Sequence, residues 1–415
     1  MWRYCILSLC ISSVIGQGYD GYKIYHVIAS NSLQGKVLFE LSKQEHYDFF
    51  ILTKLLNQTS SVMVPPEKIS EFKQLLKENG ITHSLLKANV GYEIKKQFYY
   101  MERPRSYDPT PKLGTDRYYS HDEINNYIDY LAGQYPNRVF AKNVGKTYEN
   151  RTMKTITITN GDGRANKKSI FIDGGIHARE WISPAAVLYV INQLAENFTE
   201  NKELLQNYDW IILPVVNADG YEYTRESSSK RLWRKTRTPY TNCYGADANR
   251  NFDFHWMGKG ASSNTCSETY AGPSAFSEPE ARVLRDVLIS IKDQCKMYMT
   301  IHSYGKYLLY PWSWTSDLPE TVDDLHEVAM AGYNAILNET GTVYTVGSST
   351  NALYEASGSS DDYAFGVTNI PISIIMELPG SGSVGFDPPE SNIDRLVKET
   401  WVGIRAMGLA VINKY

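Results

Sequence analysis

KKSIFIDGGIHAREWISPAAVLYVINQLAENF, residues 167–198, changes pattern halfway along. Its first part, KKSIFIDGG, carries an apolar run with no polar alternation, as a strand buried on both faces does. Its last part, PAAVLYVINQLAENF, carries apolar residues at helical spacing. Between them, Gly174 and Gly175 permit a tight turn. Directly after that turn come His177 and Glu180, three residues apart. A buried strand delivering a chain of polar side chains into a helix is the unit of an α/β sheet, and it organises what surrounds it.

The same alternation extends in both directions. KTITITN, DWIILPVVN, MYMTIHSYG and IPISIIMEL read as strands. EPEARVLRDVLISIKDQ, TVDDLHEVAMAGYNAIL and the terminal SNIDRLVKETWVGIRAMGLAVI have helical periodicity. Ser120 and Glu123 in SHDEINNYIDYL form the sequence of a capping box. The expectation is a mixed, largely parallel central sheet with helices on both faces, whose site gathers beyond the carboxyl ends of the strands. Residues 19–100 have a separate alternation: YKIYHVIA and SVMVP as strands, QEHYDFFILTKLL and EKISEFKQLLKENG as helices. A small open-faced α/β sandwich is predicted there. The segment MERPRSYDPTPKLG, residues 101–114, joins the two parts with the composition of an exposed linker. Arg105 and Lys112 would suit a trypsin-like protease, a plain linker being the alternative; Arg103 precedes Pro104 and suits one poorly.

Of the 415 residues, 42% are hydrophobic and 21% charged, as in a packed globular protein. The net charge of −4 gives no electrostatic reason to expect a nucleic-acid partner. Arg3 followed by CILSLCISSVIG reads as an export signal cut near Gly16, too short to span a bilayer unless as a tilted anchor. Cys5 and Cys10 would leave with that signal. The remaining Cys243, Cys266 and Cys295 imply one pair and one lone thiol in an oxidising compartment. Cys243 and Cys266 bracket a Gly/Ser/Asn-rich stretch that a disulfide would close, leaving Cys295 buried and inert. Sequons stand at Asn57, Asn150, Asn197 and Asn338.

His302, in MYMTIHSYG, also ends an apolar strand before a turn. With His177 and Glu180 it makes two imidazoles and a carboxylate, a donor set of catalytic zinc sites. His26, His46, His83, His121, His255 and His326 lack such company and read as structural or exposed. Hydrolysis at such a site needs a base and a positive group for the oxyanion. Glu377 in IPISIIMELPG is the candidate base, with a buried ion pair as its alternative role. Arg234 in RLWRKTR could face the oxyanion or pair with surface acids.

His177-Ala178-Arg179-Glu180-Trp181, RLWRKTR, DANRNFD, SETY, IHSYG, YEASGSSDD and the late MEL stand in the order found in secreted zinc metallocarboxypeptidases of the A/B type. The resemblance covers about residues 115–415, and the preceding region looks like the inhibitory prosegment of that family. It implies one zinc ion on His177, Glu180 and His302, with Glu377 as general base and Arg234 polarising the scissile carbonyl. Asn249, Arg250 and the mobile Tyr354 would hold the substrate's terminal carboxylate. Arg179 and Tyr304 would make outer contacts, and Phe386 would line the cleft. Cys243 and Cys266 match the family's disulfide. Asp361, seven residues after Tyr354, falls where B-type members place the acid that pairs with Lys or Arg. Asp361 could instead cap the helix-like DDYAF, and Asp362 leaves open which carboxylate faces the pocket. Ser313 in YPWSW is small, as in B-type members.

The resemblance divides the chain into a signal over 1–16, a prosegment over 17–105 and a catalytic domain over 106–415. It implies a secreted, monomeric zymogen awaiting a trypsin-like protease. Its partners would be peptides with a free C-terminal carboxylate and proteinaceous carboxypeptidase inhibitors, with no nucleic acid or membrane among them. A-type specificity for apolar ends, or an inactive protein that captures peptide C-termini, are the alternatives. One departure stands out: where the family reads Glu-Leu-Arg-Asp, this chain reads Glu377-Leu378-Pro379-Gly380, so the loop after the base must run differently.

Overall fold

The computed structural model describes residues 18–101, 112–382 and 385–415. The predicted export signal, Arg105 and most of the predicted linker lie outside the described residues.

The N-terminal unit runs β1 (Lys23–Ile28), α1 (Ser32–Ser42), β2 (Asp48–Ile51), β3 (Thr59–Val64), α2 (Ile69–Glu78), β4 (Thr82–Lys87) and α3 (Val90–Met101). Its antiparallel sheet has the order β2-β3-β1-β4. Tyr25, Val27, Val62 and Val64 of the sheet close on Leu38 and Leu41 of α1 and Phe72 and Leu76 of α2. The open sandwich is as expected, but QEHYDFFILTKLL is not a helix. Its DFFI stretch is β2, paired with β3, and the helix lies upstream at Ser32–Ser42. Phe50 of that strand packs on Phe386 across the junction with the second unit, so tertiary contact outweighs the local pattern.

The second unit continues with α4 (His121–Gln134), β5 (Val139–Lys146), β6 (Thr152–Ile158), β7 (Lys168–Gly174), α5 (Ile182–Ala195), α6 (Phe198–Leu205), β8 (Tyr208–Leu213) and α7 (Ala218–Arg225). It ends with α8 (Pro279–Ile291), β9 (Cys295–Ser303), β10 (Tyr307–Tyr310), α9 (Val322–Thr340), β11 (Thr345–Ser348), α10 (Ser349–Ala352), α11 (Ser360–Gly366), β12 (Ile372–Leu378) and α12 (Glu390–Lys414). The sheet order is β11-β10-β12-β9-β7-β8-β6-β5. The inner strands β12, β9, β7 and β8 are mutually parallel, and antiparallel pairs flank them. The capping box forms at α4: Ser120 accepts from the Glu123 N–H, and Glu123 accepts from that of Ser120.

Alternation along the inner strands divides two cores. Ile170 and Ile172 of β7 and Met297, Met299 and Ile301 of β9 face α5, α9 and α12. Phe171 and Tyr298 face the other way, toward α8 and α11. Burying each such side chain contributes about 1.5–3 kcal/mol, which fixes the register that places the strand ends. Thr300 and His302 share the Tyr298 parity, so they belong to the α8/α11 face.

Candidate active site and metal centre

β7 and β9 are neighbours with Gly174 opposite Ile301, so they end side by side. Beyond β7 the chain turns at Gly175, whose φ of +64° is open to glycine and strained for other residues. The Gly175 N–H donates to Ser183 Oγ at 2.9 Å, and Ser183 Oγ–H donates to the Ile301 carbonyl at 2.5 Å. That hydroxyl ties the start of α5 to both strand ends. His177 and Glu180 project from the tied segment and His302 from β9, all three buried.

The three side chains converge. His177 Nδ1 lies 2.8 Å from Glu180 Oε1 and 3.2 Å from His302 Nδ1; His302 Nδ1 lies 3.3 Å from Glu180 Oε2. Zinc–nitrogen bonds of about 2.0–2.1 Å in a tetrahedron require ligand atoms about 3.3 Å apart. The spacing and the donor types therefore fit zinc. Among the described residues this is the only group of three or more His, Cys, Asp or Glu so placed, and it includes none of the other histidines. Burial raises the Glu180 carboxyl, but His177 and His302 outweigh it and hold it below its ordinary value.

Glu377 stands on β12 directly opposite His302 in the β12–β9 register. Burial pushes its carboxyl up to about 7, with His302 pulling down and Glu180 pushing up. Arg234 donates to Asp247 Oδ2 from Nη2 at 2.8 Å and Nε at 3.2 Å, and its Nη1 is 3.9 Å from Glu180 Oε1. Asp247 also faces His177 Nε2 through Oδ1 at 3.2 Å. Burial raises the Asp247 carboxyl, yet Arg234 and His177 hold it well below the usual range. Asp247 thus orients both a metal-site histidine and the cleft arginine. Sequence reading passed over it although it opens the quoted DANRN, because its partner His177 lies 70 residues away.

His177, Glu180, His302, Glu377 and Arg234 line one cleft of about 630 Å³, together with Asn249, Arg250 and Tyr354. Asn249 Oδ1 accepts from the Ser360 N–H at 2.8 Å, and Arg250 Nε donates to the Gly260 carbonyl at 3.0 Å. Asp361 does not cap α11, whose N-cap position is Ser359. Its Oδ2 accepts from Ser313 Oγ at 2.8 Å, while buried Oδ1 has no hydrogen-bond partner among the described residues. Asp362 is spent on the backbone N–H groups of Ser313 and Trp314.

The N-terminal unit covers this cleft. Asp48 takes Arg179 Nη1 at 2.6 Å and Nη2 at 3.2 Å. Tyr354 stacks on Phe39 at 4.7 Å and donates to the Gly35 carbonyl at 3.3 Å. Lys54 pairs with Glu355 at 3.1 Å. Tyr304 donates to Ser61 Oγ at 3.4 Å and packs edge-on to Phe386 at 4.9 Å. The departing Pro379-Gly380 loop bears on this rim: a Cβ at Gly380 or at Gly385 would overlap the Tyr304 ring. Cys243 and Cys266 are bonded with Cα atoms 5.2 Å apart. Cys295 is buried, and burial pushes its thiol up to about 12. Lys112 is exposed, 3.3 Å from Glu196.

A buried His-Glu-His centre opposite a carboxylate, in a cleft closed by a separable unit, defines a metallohydrolase held under a lid. Residues 124–403 match the family model described as zinc carboxypeptidase, and the chain belongs to that family. Residues 25–97 match the carboxypeptidase activation peptide, so it is a zymogen whose cofactor is zinc. Carboxypeptidase B of Helicoverpa zea is 39% identical over 96% of this chain and 96% of its own length. Zinc carboxypeptidase A 1 of Drosophila melanogaster is 39% identical over 95% of this chain and 92% of its own. The crystal structure of carboxypeptidase A from Helicoverpa armigera superposes with a TM-score of 0.89 at 33% identity, covering 95% of this chain and 98% of that one.

Proposed function

We propose that this zymogen yields an exopeptidase that removes C-terminal Lys and Arg. The observation that supports it is Asp361: fully buried beside Ser313, with no hydrogen-bond partner for Oδ1 among the described residues. Burial raises this carboxyl above its ordinary value, and a cationic side chain brought beside it would supply the missing counter-charge. Ser313, Ser349 and Ser359 make small walls for a long side chain. Leu309 and Ile375 also line the cleft and favour the second reading, release of apolar C-terminal residues.

In the proposed reaction Arg250, Asn249 and Tyr354 hold the terminal carboxylate, and Arg179, Tyr304 and Phe386 contact the peptide further out. His177, Glu180 and His302 hold zinc, which when bound polarises the scissile carbonyl and acidifies water at neutral pH. Glu377 takes the proton of the attacking water and passes it to the leaving amine. Arg234, aimed by Asp247, faces the negative charge that develops on the carbonyl oxygen. The chain would be exported by residues 1–16 and cut near Arg105 or Lys112, a cut after Arg105 giving a 17–105 prosegment and a 106–415 enzyme. Peptides with free C-termini, an activating trypsin-like protease and proteinaceous inhibitors would be its partners. No described helix is long and apolar enough to cross a membrane.

Asp361→Ala tests the pocket. Losing one partner of a buried charge pair costs about 2–5 kcal/mol, so kcat/KM for C-terminal Arg should fall roughly 30- to 4,000-fold. Release of C-terminal Leu should change little. An undiminished preference for Arg would sink the role given to Asp361, whereas a parent enzyme that already favours Leu over Arg, unchanged by the substitution, would favour the apolar-end reading.

A further inference from the structure

Asp173 is fully buried on β7, and among the described residues no Lys or Arg side chain neutralises it. What surrounds it is a row on the adjacent strand. Tyr298, Thr300 and His302 alternate along β9 on one face of the sheet, and Thr300 is the register partner of Asp173. Tyr298 Oη–H donates to Asp173 Oδ2 at 2.5 Å, and Thr300 Oγ1–H donates to Oδ1 at 2.9 Å. A threonine hydroxyl has one proton. With that proton committed to Asp173, Thr300 Oγ1 can only accept from the ring nitrogen it faces, His302 Nε2 at 3.1 Å. His302 then carries its proton on Nε2, and its Nδ1 lone pair points at His177 and Glu180.

We propose that Asp173 and Thr300 form a positioning relay that fixes the tautomer and ring orientation of His302 for zinc. The two histidines of the centre are thereby held differently. His177 Nε2 meets the carboxylate of Asp247 directly, whereas His302 reaches a carboxylate through one intervening hydroxyl. The strand alternation supplies the geometry, since side chains two residues apart stand next to each other on the sheet face. Tyr298 has a separate part: its hydroxyl proton goes to Asp173 Oδ2, the oxygen that Thr300 does not use. The relay depends on the metal centre and not on which side chain the pocket accepts.

The test is zinc affinity of the full-length, uncut chain, stripped of metal and titrated against a chromophoric chelator at fixed pH. Thr300→Val keeps the shape and removes the hydroxyl. It should weaken zinc about 10- to 100-fold, the usual effect of losing a partner behind a metal ligand. Thr300→Ser restores the hydroxyl and should stay within a few-fold of the parent chain. Tyr298→Phe should lower the melting temperature of the metal-free protein while leaving zinc affinity near the parent value. Should Thr300→Val not fold, Thr300→Ala carries the same expectation with less shape dependence. The relay is overturned if the chain without the Thr300 hydroxyl binds zinc as the parent does. It is also overturned if Thr300→Ser is as weak as Thr300→Val, or if Tyr298→Phe loses as much zinc affinity. Zinc binding by the parent chain is the independent check on the centre itself.

Discussion

Buried carboxylates decide the chemistry of single residues in this protein, and they differ in what compensates them. Asp247 has Arg234; Asp173 has two hydroxyls; Glu280, on α8, accepts from the Tyr148 N–H through Oε1 and has no partner for Oε2 among the described residues. Burial accordingly pushes the Glu280 carboxyl up to about 8, with Glu278 and Asp219 adding to the rise. In the unfolded chain a glutamate titrates near 4.3. Between those values the folded state holds a proton that the unfolded state lacks, so this group's contribution to stability falls as pH rises from about 4.3 to about 8. Glu280→Gln should therefore raise the melting temperature at pH 8 by a few degrees and change it less at pH 5. Equal shifts at both pH values would refute the assignment. His302 and Glu377 lie on the ends of apolar strands and His177 just past one, and that pattern picks them out as candidates. Asp247, Asp173 and Glu280 were not legible, since their roles depend on partners brought close only by the sheet.

Individual elements were legible where their pattern was strong. The buried strands β7, β8, β9 and β12 and the long helices α8, α9 and α12 follow from continuous apolar runs and helical periodicity. Short edge elements did not announce themselves. The sequence pattern suggests a helix at β2 and marks no strand at β4, β5, β10 or β11; β2, β4, β10 and β11 have only four to six residues and carry little pattern of their own, while β5 at the sheet edge alternates weakly. The turn after β7 is the element on which the centre depends most. Gly175 has φ +64°, and a Cβ there would meet Pro184 Cγ at 3.0 Å. Gly175→Ala should cost about 1–3 kcal/mol through the strained backbone and should also weaken zinc, because His177 and Glu180 hang from this turn. Thermal unfolding with and without zinc measures both effects. An unchanged melting temperature would show that the turn tolerates a side chain.

Over the whole molecule, the junction of the two units is what no local pattern could reveal. The prosegment was legible as a separate unit from its own strand and helix signals and the linker behind it. Its grip on the cleft was not, since Asp48, Phe39 and Lys54 meet Arg179, Tyr354 and Glu355 only in the folded chain. The bidentate Asp48–Arg179 pair is the strongest of these contacts by geometry. Asp48→Ala in the uncut chain should loosen the cover and raise hydrolysis of a short substrate severalfold, measured against the uncut parent. No rise would place the inhibition in the remaining contacts.

The central claim is a zinc exopeptidase with a basic-end preference released from a zymogen. Amino-acid release from peptides ending in Arg, Lys, Phe, Leu or an amide tests it most directly, after brief trypsin treatment and with or without a zinc chelator. The account predicts chelator-sensitive release of Arg and Lys, little from Phe or Leu, and none from the amide. Release of Phe and Leu in preference to Arg and Lys would contradict the Asp361 pocket, and release that survives the chelator would contradict the metal centre.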